Sequence, residues 1–233
     1  MPLLALDNVT RRFGGILALD AVSFDVDAGE IVGLIGPNGA GKTTAFNVIT
    51  RLYDPDSGDV VFDGESLLRT APHRVIKRRI ARTFQNVELF PTLTVRENVH
   101  MGTHAHHGER SVDSVIEYVD LLPVANRVAR GLPFGTLKRV ELARALVSGP
   151  RLLLLDEPAA GLNHEEVQGL GEFLRGVRRD FELTILLVEH HMGLVMGLAD
   201  RVHVLDFGRL IASGAPTEVQ SDSAVIEAYL GAV

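Results

Sequence analysis

Residues 36–43 carry the clearest chemical signal in the sequence, reading Gly-Pro-Asn-Gly-Ala-Gly-Lys-Thr, a full match to the pattern G-x-x-x-x-G-K-[ST]. Its glycines let backbone N–H groups turn inward around phosphate oxygens, and the N-terminus of a following helix adds a positive end. Lys42 is expected to reach the β- and γ-phosphates of a nucleotide, and the Thr43 hydroxyl to ligate Mg²⁺. The apolar run Ile31–Ile35 before the pattern and the helical stretch after it are typical of a nucleotide-binding loop.

Two acids follow a second apolar run, where residues 152–155 are all leucine and Asp156, Glu157 and Pro158 come next. Ligands of open α/β sheets sit at this carboxyl end of the strands. Asp156 can serve Mg²⁺, a hard cation that prefers oxygen ligands, and Glu157 can polarise a water for in-line attack on a γ-phosphate. The alternative is that the acids and the proline merely end the strand. The phosphate loop in the same chain favours the hydrolytic role.

The elements that must position these residues alternate between strand and helix. Helical stretches begin near Lys42, Leu137 and Glu165, residues 59–62 form a short edge segment, and residues 216–230 read as one amphipathic helix packed on the core. Residues 86–148 have no strong strand signal and predict a helical insertion in an α/β fold. Buried strands are predicted at Ile31–Ile35, 152–155, Thr184–Val188 and 202–205, and a half-buried strand at 22–26.

Composition is that of a globular protein, with 233 residues of which 46% are hydrophobic and 23% charged. The formal net charge of -7 argues against a nucleic-acid partner, which a basic face would usually attract. No apolar run approaches the roughly 18–20 residues that span a bilayer, and the first residues lack the features of a signal peptide. The chain has no cysteine and therefore no disulfide framework. We expect a cytosolic protein whose link to a membrane comes through a partner.

With these motifs in order, the chain resembles the ATP-binding cassette (ABC) family over its whole length. Phe13, in Arg-Arg-Phe-Gly-Gly, lies where that family places the aromatic ring that stacks on adenine. Gln85, in Ala-Arg-Thr-Phe-Gln-Asn, is similar to the glutamine that meets Mg²⁺ or the attacking water, and His190 to the switch histidine that hydrogen-bonds the γ-phosphate. Gly135, in Leu-Pro-Phe-Gly-Thr, occupies the signature segment, and residues 159–163 resemble the loop that follows the hydrolytic acids.

The resemblance implies a single cassette, residues 1–233, with an α/β phosphate-loop NTPase (RecA-like) core at 1–85 and 149–233, an antiparallel β subdomain, and an inserted α-helical subdomain at about 86–148. It implies ATP hydrolysis with Mg²⁺, catalytic roles for Lys42, Gln85, Glu157 and His190, and metal ligation by Thr43, Gln85 and Asp156. The implied ATP contacts are Phe13, Gly36, Pro37, Asn38, Gly39, Ala40, Gly41, Lys42, Thr43, Thr44 and Gln85, with Gly135 contacting the ATP of a partner subunit.

Three residues depart from the family pattern. The signature usually reads Leu-Ser-Gly-Gly-Gln, whereas here Pro133 replaces the serine and Thr136 the glutamine. Pro133 offers a phosphate neither a hydroxyl nor an N–H. Gly135 remains at the start of a helix expected over 136–148, whose N-terminal amides can still cap a γ-phosphate. Asn163 replaces an aspartate, which keeps an acceptor and loses a charge.

Several segments look like the branch of the family that imports branched-chain amino acids: residues 81–86, 89–95, 132–136, 157–161 and 225–231. That branch implies import of leucine, isoleucine and valine by a complex at the cytoplasmic face of the cell membrane. Its partners would be two membrane-spanning permeases contacted through residues 86–98, a second ABC ATPase (a paralogue or this chain itself) and, indirectly, a substrate-binding protein. Importers of urea or other amino acids, lipopolysaccharide exporters and non-transport ABC ATPases stay open as alternatives.

Two clusters of charged or titratable residues invite other interpretations. His100, His104, His106 and His107 could hold a metal, but no carboxylate or thiolate partner is evident and a solvated loop is the expectation. The basic run could face lipid or a membrane subunit, and a solvated helix face is the default for Arg74, Lys77, Arg78, Arg79 and Arg82. A phosphate-loop GTPase is disfavoured because the sequence has no Asn-Lys-x-Asp guanine reader.

Overall fold

The computed structural model describes residues 1–104 and 110–230, which form ten strands and eight α-helices. The strands are β1 Leu4–Phe13, β2 Ile16–Val26, β3 Ile31–Ile35, β4 Ser57–Phe62, β5 Glu65–Ser66, β6 Ile80–Arg82, β7 Leu152–Asp156, β8 Thr184–Val188, β9 Arg201–Asp206 and β10 Arg209–Gly214. The helices are α1 Lys42–Ile49, α2 Val95–Met101, α3 Val112–Tyr118, α4 Phe134–Val147, α5 His164–Asp180, α6 Met192–Leu198, α7 Pro216–Ser221 and α8 Ser223–Leu230. Short 3₁₀ helices lie at Leu67–Arg69, Pro72–Arg78, Gly102–His104 and Leu122–Val124.

The larger sheet has six strands in the order β10-β9-β3-β8-β7-β6. All its pairs are parallel except the one that adds β10 at the edge. Strands β3, β7 and β8 are buried along their whole length, which explains their continuously apolar sequences. Because β3, β7 and β8 run in the same direction, the loops after Ile35, Asp156 and Val188 emerge at one edge of the sheet.

Alternate residues of the central strands enter two different hydrophobic clusters. Ile31 and Ile35 join Leu153 and Leu155 on the face covered by α2 to α6. The other face, toward α1 and the smaller sheet, holds Val32, Leu34, Leu152 and Leu154. That smaller sheet is antiparallel, in the order β2-β1-β4-β5. The α/β class with a phosphate-loop core is therefore confirmed, and the sheet is covered on both faces.

Between β6 and β7 the described residues form helices α2, α3 and α4 and no strand beyond an isolated bridge from Thr94 to Val128. Val99, Val115 and Leu146 of these three helices are buried against one another and against the core. Helix α2 begins with a reciprocal capping box, in which the Thr94 hydroxyl accepts from the Glu97 N–H and the Glu97 carboxylate accepts from the Thr94 N–H. None of the helices in the described ranges is long and apolar enough to cross a membrane.

Two helix predictions were wrong in their bounds. Helix α4 begins at Phe134, because Pro133 has the fixed φ suited to a helix start and serves as its N-cap. The segment 216–230 is two helices, α7 and α8, with a break at Asp222, whose backbone is extended. The Asp222 carboxylate accepts from the N–H groups of Ala224 (2.8 Å) and Val225 (3.3 Å), so it starts the second helix.

The four apolar strand predictions were confirmed, but strands β1, β5, β6 and β10 were not predicted. β1 carries register shifts between Leu6 and Val9 and again near Arg11, which interrupt the alternation that marks a strand. β6 has only three residues, too few for a periodic pattern. The interpretation of the basic run as a solvated face was wrong for Arg82, which lies in β6 with its side chain buried.

Candidate active site

The loop 36–41 turns tightly between β3 and α1. Gly41 is the N-cap of α1 and has φ 106°, a left-handed conformation that favours glycine. A Cβ atom on Gly41 would lie 2.5 Å from the Ala18 carbonyl oxygen, and a Cβ on Gly36 would overlap the Leu205 carbonyl oxygen. Backbone therefore packs against backbone on both sides of the loop, and this places the N-terminal amides of α1 at the carboxyl edge of the sheet.

Lys42 folds back over this loop. Its ammonium Nζ donates to the carbonyl oxygens of Gly36 (2.7 Å) and Pro37 (2.8 Å), and the side chain is buried. Burial lowers the pKa of Lys42, and the negative charges of Glu157 and Asp156 raise it in part. The site thus contains one cation held over the loop and two anions at the end of β7.

Glu157 joins two of the predicted site residues. Its Oε2 accepts from Nε2 of Gln85 at 2.8 Å, and its Oε1 lies 3.0 Å from Nε2 of His190. Because an ionised carboxylate can only accept hydrogen bonds, the second contact places the imidazole proton on Nε2. The structure therefore brings together Gln85, Glu157 and His190, which are far apart in the sequence.

Asp156 is held by an arginine from the neighbouring strand. Nη2 of Arg82 lies 2.8 Å from Oδ2 of Asp156. Nη1 of Arg82 also donates to Asn47 Oδ1 (2.7 Å) and Thr50 Oγ1 (3.3 Å), which belong to α1 and to its C-terminal cap. Arg82 was not predicted as a site residue, although it lies three residues before Gln85.

A cavity of about 320 Å³ lies at this edge of the sheet. Ile16, Leu17, Ala18 and Phe207 form its other wall. The predicted residues that line it are Asn38, Gly39, Ala40, Gly41, Lys42, Thr43, Thr44, Glu157 and His190. It combines backbone amides, a cation, hydroxyls and a carboxylate, a set suited to a polyphosphate and a divalent ion. Phe207, which is 85% exposed at the mouth, was not predicted.

Five predicted ATP contacts do not line this cavity. Gly36 and Pro37 accept from Lys42, and Gln85 donates to Glu157, so these three lie beside it. Phe13 and Gly135 lie elsewhere. The Phe13 ring does not line this cavity; it packs edge-on against Tyr53 at a centroid distance of 5.0 Å and beneath the Arg11 guanidinium at 4.7 Å. Phe13 remains 36% exposed. Gly135, in the first turn of α4, is exposed and lines a second cavity between α4 and α5. Its predicted contact is with a partner's nucleotide, so a position away from the first cavity is compatible with it.

The turn after β7 is held by two side chains that sequence analysis did not single out. Glu189 is buried and accepts from the N–H of Ala159 at 2.6 Å with one oxygen, and from the N–H groups of His190 and His191 with the other. Lys138 of α4 donates to the carbonyl oxygen of Glu157 at 2.6 Å. The position of Glu189, an acid between an apolar strand and His190, could have indicated its role.

The remaining candidate residues make contacts that stabilise the fold or lie away from the cavity. Asn163 caps α5, its side chain accepting from the Glu166 N–H at 3.0 Å, so the departure from aspartate keeps a capping acceptor. The rings of His100 and His104 meet edge to face at 5.6 Å. His106 and His107 lie outside the described residues. Within 1–104 and 110–230, no three His, Asp or Glu side chains form a metal cluster.

A glycine loop between a buried parallel strand and a helix, with an Asp-Glu pair at the same edge of the sheet, defines a phosphate-loop nucleoside triphosphatase. The sequence matches the family model described as ABC transporter over residues 19–160, more than half of the chain. The chain belongs to the ABC transporter family and is an ATP-binding cassette ATPase. Residues 209–233 also match the model described as branched-chain amino acid ATP-binding cassette transporter.

Relatives align along the full length. The high-affinity branched-chain amino acid transport ATP-binding protein BraF of Pseudomonas aeruginosa is 39% identical over 250 residues, covering 99% of this chain and 98% of the relative. The protein of the same description named LivG, from Escherichia coli, is 39% identical with the same coverage. The lipopolysaccharide export system ATP-binding protein LptB of Haemophilus influenzae is 32% identical over 237 residues, with 99% and 98% covered.

Solved structures agree with the fold. The ADP conformation of MJ1267, an ATP-binding cassette of an ABC transporter, superposes with a TM-score of 0.89 at 30% identity, covering 99% of each chain. A dimeric post-hydrolysis state of the cassette MJ0796, bound to ADP and Pi, superposes with a TM-score of 0.81 at 27% identity, covering 91% of this chain and 98% of the other.

Proposed function

We propose that this chain is the ATP-hydrolysing subunit of an importer of branched-chain amino acids. The observation that carries the substrate class is the full-length identity of 39% to BraF and LivG, together with the match of residues 209–233 to the branched-chain model. The exporter protein LptB is less similar, at 32%. Import of branched-chain amino acids therefore ranks above lipopolysaccharide export.

In this proposal the triphosphate of ATP lies along the loop 36–44, where backbone amides and the N-terminus of α1 face the phosphates. Lys42 exchanges its bonds to the Gly36 and Pro37 carbonyls for bonds to the β- and γ-phosphates, which are stronger because they join opposite charges. Phe13 contacts adenine through its ring. Its exposure of 36% and its edge-on contact with Tyr53 suit a stacking platform.

The hydrolytic step is attack of a water oxygen on the γ-phosphorus, with the β–γ bridging oxygen leaving on ADP. Glu157 accepts a hydrogen bond from that water and orients it for in-line attack. Gln85 and His190 fix the plane of the Glu157 carboxylate through their contacts of 2.8 and 3.0 Å. The Nε2–H of His190 can turn to donate to the γ-phosphate as negative charge grows there.

The residues at the cavity suit Mg²⁺, since hydroxyl, amide and carboxylate oxygens are the ligands that this hard cation takes alongside water. Thr43, Gln85 and Asp156 would hold it, and when bound it would neutralise charge on the β- and γ-phosphates. Thr43 lines the cavity directly. Arg82 occupies Oδ2 of Asp156, which leaves Oδ1 for a metal or a metal-bound water.

A second chain completes the proposed site. A γ-phosphate cradled by one loop keeps an exposed anionic face, and the N-terminal turn of α4, with Gly135 exposed, can cover that face from a partner. We propose a head-to-tail pair of cassettes, this chain with itself or with a paralogue, bound to two permeases. In that complex the core would comprise residues 1–85 and 149–233, and the helical piece 86–148 would meet the permeases through 86–98, at the cytoplasmic face of the membrane.

The test is transport by the reconstituted complex. The chain, its two permeases, the second cassette and the substrate-binding protein are placed in proteoliposomes with internal Mg·ATP, and uptake of labelled leucine is measured. We expect ATP-dependent uptake that excess isoleucine or valine suppresses and urea does not. Leucine uptake that is absent while urea or another amino acid accumulates would overturn the substrate class. ATP hydrolysis by the complex without uptake of any of these solutes would overturn the transporter role.

A further inference from the structure

Lys138 lies in the second turn of α4 and makes a contact that the proposed mechanism does not use. Its Nζ donates to the carbonyl oxygen of Glu157 at 2.6 Å and lies 3.4 Å from the carbonyl oxygen of Pro158. The ammonium also sits 5.3 Å from the centre of the Phe134 ring, one turn back along the same helix. Lys138 thus connects α4 to the main chain of Glu157 itself.

The main chain at Glu157 needs such a connection. Glu157 has φ 49°, a left-handed conformation that a non-glycine residue adopts only when its surroundings enforce it. Its N–H donates to the Val188 carbonyl at 2.9 Å, and its carbonyl accepts from the Ala160 N–H at 3.2 Å and from Lys138. The direction in which the Glu157 side chain leaves the backbone depends on this conformation. Lys138 is the one of these partners that belongs to α4.

The negative charges around Lys138 help to fix the position of its ammonium group. Lys138 is half-buried, and the carboxylates of Glu189, Glu141, Glu157 and Asp156 all interact with its charge. Glu189 holds the same turn by accepting from the Ala159 N–H at 2.6 Å. Burial lowers the pKa of Lys138, and the four carboxylates raise it in part. Their attraction holds an ammonium in place better than a neutral side chain.

We propose that Lys138 is a positioning residue for Glu157: it holds the left-handed turn that aims the Glu157 carboxylate. The inference rests on the proposed hydrolytic role of Glu157. It also gives α4 a second task. The helix that presents Gly135 at its start would set the aim of the hydrolytic carboxylate within its own chain, so a shift of α4 on meeting a partner's nucleotide would reach Glu157 through Lys138.

The test compares ATP hydrolysis by the purified chain and three lysine variants. Lys138→Met removes the donor and keeps the length; we expect kcat to fall on the order of 10- to 100-fold, as a small misplacement of a reacting group does. The KM for ATP should stay within about two-fold, because Lys138 does not reach the loop 36–44. Lys138→Arg should restore most of kcat. Lys77→Met, the same change at an exposed lysine, should match the wild type.

A double-variant cycle separates positioning from general structural support. If Lys138 acts through Glu157, then adding Lys138→Met to Glu157→Gln should lower single-turnover hydrolysis no further. If the rate loss of the double variant equals the product of the two single losses, the inference is overturned. The inference would also be overturned if Lys138→Met kept the wild-type kcat while Glu157→Gln was inactive. Wild-type turnover in Glu157→Gln would instead refute the hydrolytic role on which the inference rests.

A measurement without turnover covers the case in which Lys138→Met folds poorly. Lys138→Gln keeps a polar side chain, but it is one bond shorter than lysine and lacks the charge, so it should hold the Glu157 carbonyl less firmly. Hydrogen exchange can be followed at single amides in that variant and in the wild type. We expect the Ala160 amide, which donates to the Glu157 carbonyl, to exchange faster in Lys138→Gln, and that of Ile185 in strand β8 to stay unchanged. Equal exchange at Ala160 in both proteins would contradict the proposal.

Discussion

The guanidinium of Arg82 and the carboxylate of Asp156 form a buried ion pair across the neighbouring strands β6 and β7, with Nη2 and Oδ2 2.8 Å apart and each side chain only 6% exposed. The pair is flanked by aromatic rings, with the guanidinium 5.4 Å from the Phe46 ring centre and 4.9 Å from that of Phe84. Since Arg82 also donates to α1, it links the acid end of β7 to the helix that follows the phosphate loop. The orientation of the Asp156 carboxylate is therefore fixed by this pair.

Arg82→Met should destabilise the fold strongly, because it leaves the Asp156 carboxylate buried without its cation. Removing one partner of a buried pair costs about 3–5 kcal/mol of the free energy of unfolding. Urea unfolding followed by circular dichroism measures this loss. Arg78→Met is the matched control, since its pair with Glu65 is partly exposed and worth about 0–1 kcal/mol. Equal losses in the two variants would mean that the Arg82 pair contributes no more than a surface contact.

The contrast between Arg82 and Lys42 shows which site residues can be predicted from the sequence alone. The phosphate loop and the acids Asp156 and Glu157 are local patterns, in which residue type and immediate context carry the chemistry. Arg82 pairs with a residue 74 positions away, Lys138 with one 19 away and Glu189 with one 30 away. Such partners depend on which strands and helices become neighbours, and no periodicity along the chain encodes that.

The prediction of strands was limited in the same way. The buried parallel strands are recognisable in the sequence by continuous apolar runs such as Ile31–Ile35. Strand β1 instead carries bulges and exposed polar residues on one face, and its partner β4 lies far along the chain. Helix α4 begins two residues before its predicted start, because the fixed φ of Pro133 suits the residue that precedes a helix.

Lys42→Ala should abolish tight binding of Mg·ATP while leaving the chain folded. The ammonium would make charge-assisted hydrogen bonds to the phosphates, and their loss costs on the order of 10- to 100-fold in affinity. Titration calorimetry measures the dissociation constant, and a thermal melt checks that the variant is folded. Lys77→Ala, at an exposed lysine, should bind as the wild type does. Unchanged affinity in Lys42→Ala would remove Lys42 from the phosphate site.

Glu157→Gln should stop turnover without weakening nucleotide binding. The amide keeps the size of the side chain and a hydrogen-bond acceptor, but it is a far weaker base toward water, so kcat should fall about 10²- to 10⁴-fold. Phosphate release and calorimetry on the same sample give kcat and affinity. Glu117→Gln on the exposed face of α3 is the control. A parallel loss of affinity would indicate that Glu157 serves in binding and not in the chemical step.

His203 should make the fold sensitive to mild acid. Its ring is buried against Phe24 at a centroid distance of 4.8 Å, and Nε2 donates to the Asp25 carbonyl at 2.9 Å. The ring's Nδ1 is buried and has no hydrogen-bond partner among the residues that the structure describes. Burial lowers the pKa of His203, and the nearby charge of Arg201 adds to the shift, while Asp25 and Glu30 oppose it. Protonation would place an N–H without an acceptor in the interior.

The direction of the effect follows from that lowered pKa. Below a pH of about 6.5 the unfolded chain takes up a proton at His203 and the folded chain resists it, so the free energy of unfolding falls as the pH drops, by at most about 1.4 kcal/mol per pH unit. Above that pH the contribution is constant. Urea unfolding of the wild type and of His203→Gln, near neutral pH and about two pH units lower, isolates this contribution. Glutamine keeps a donor for the Asp25 carbonyl and cannot titrate. The free energy of unfolding of His203→Gln should therefore fall less than that of the wild type. His73→Gln, at an exposed histidine, should lose as much stability as the wild type, and an equal loss in His203→Gln would show that His203 does not resist protonation.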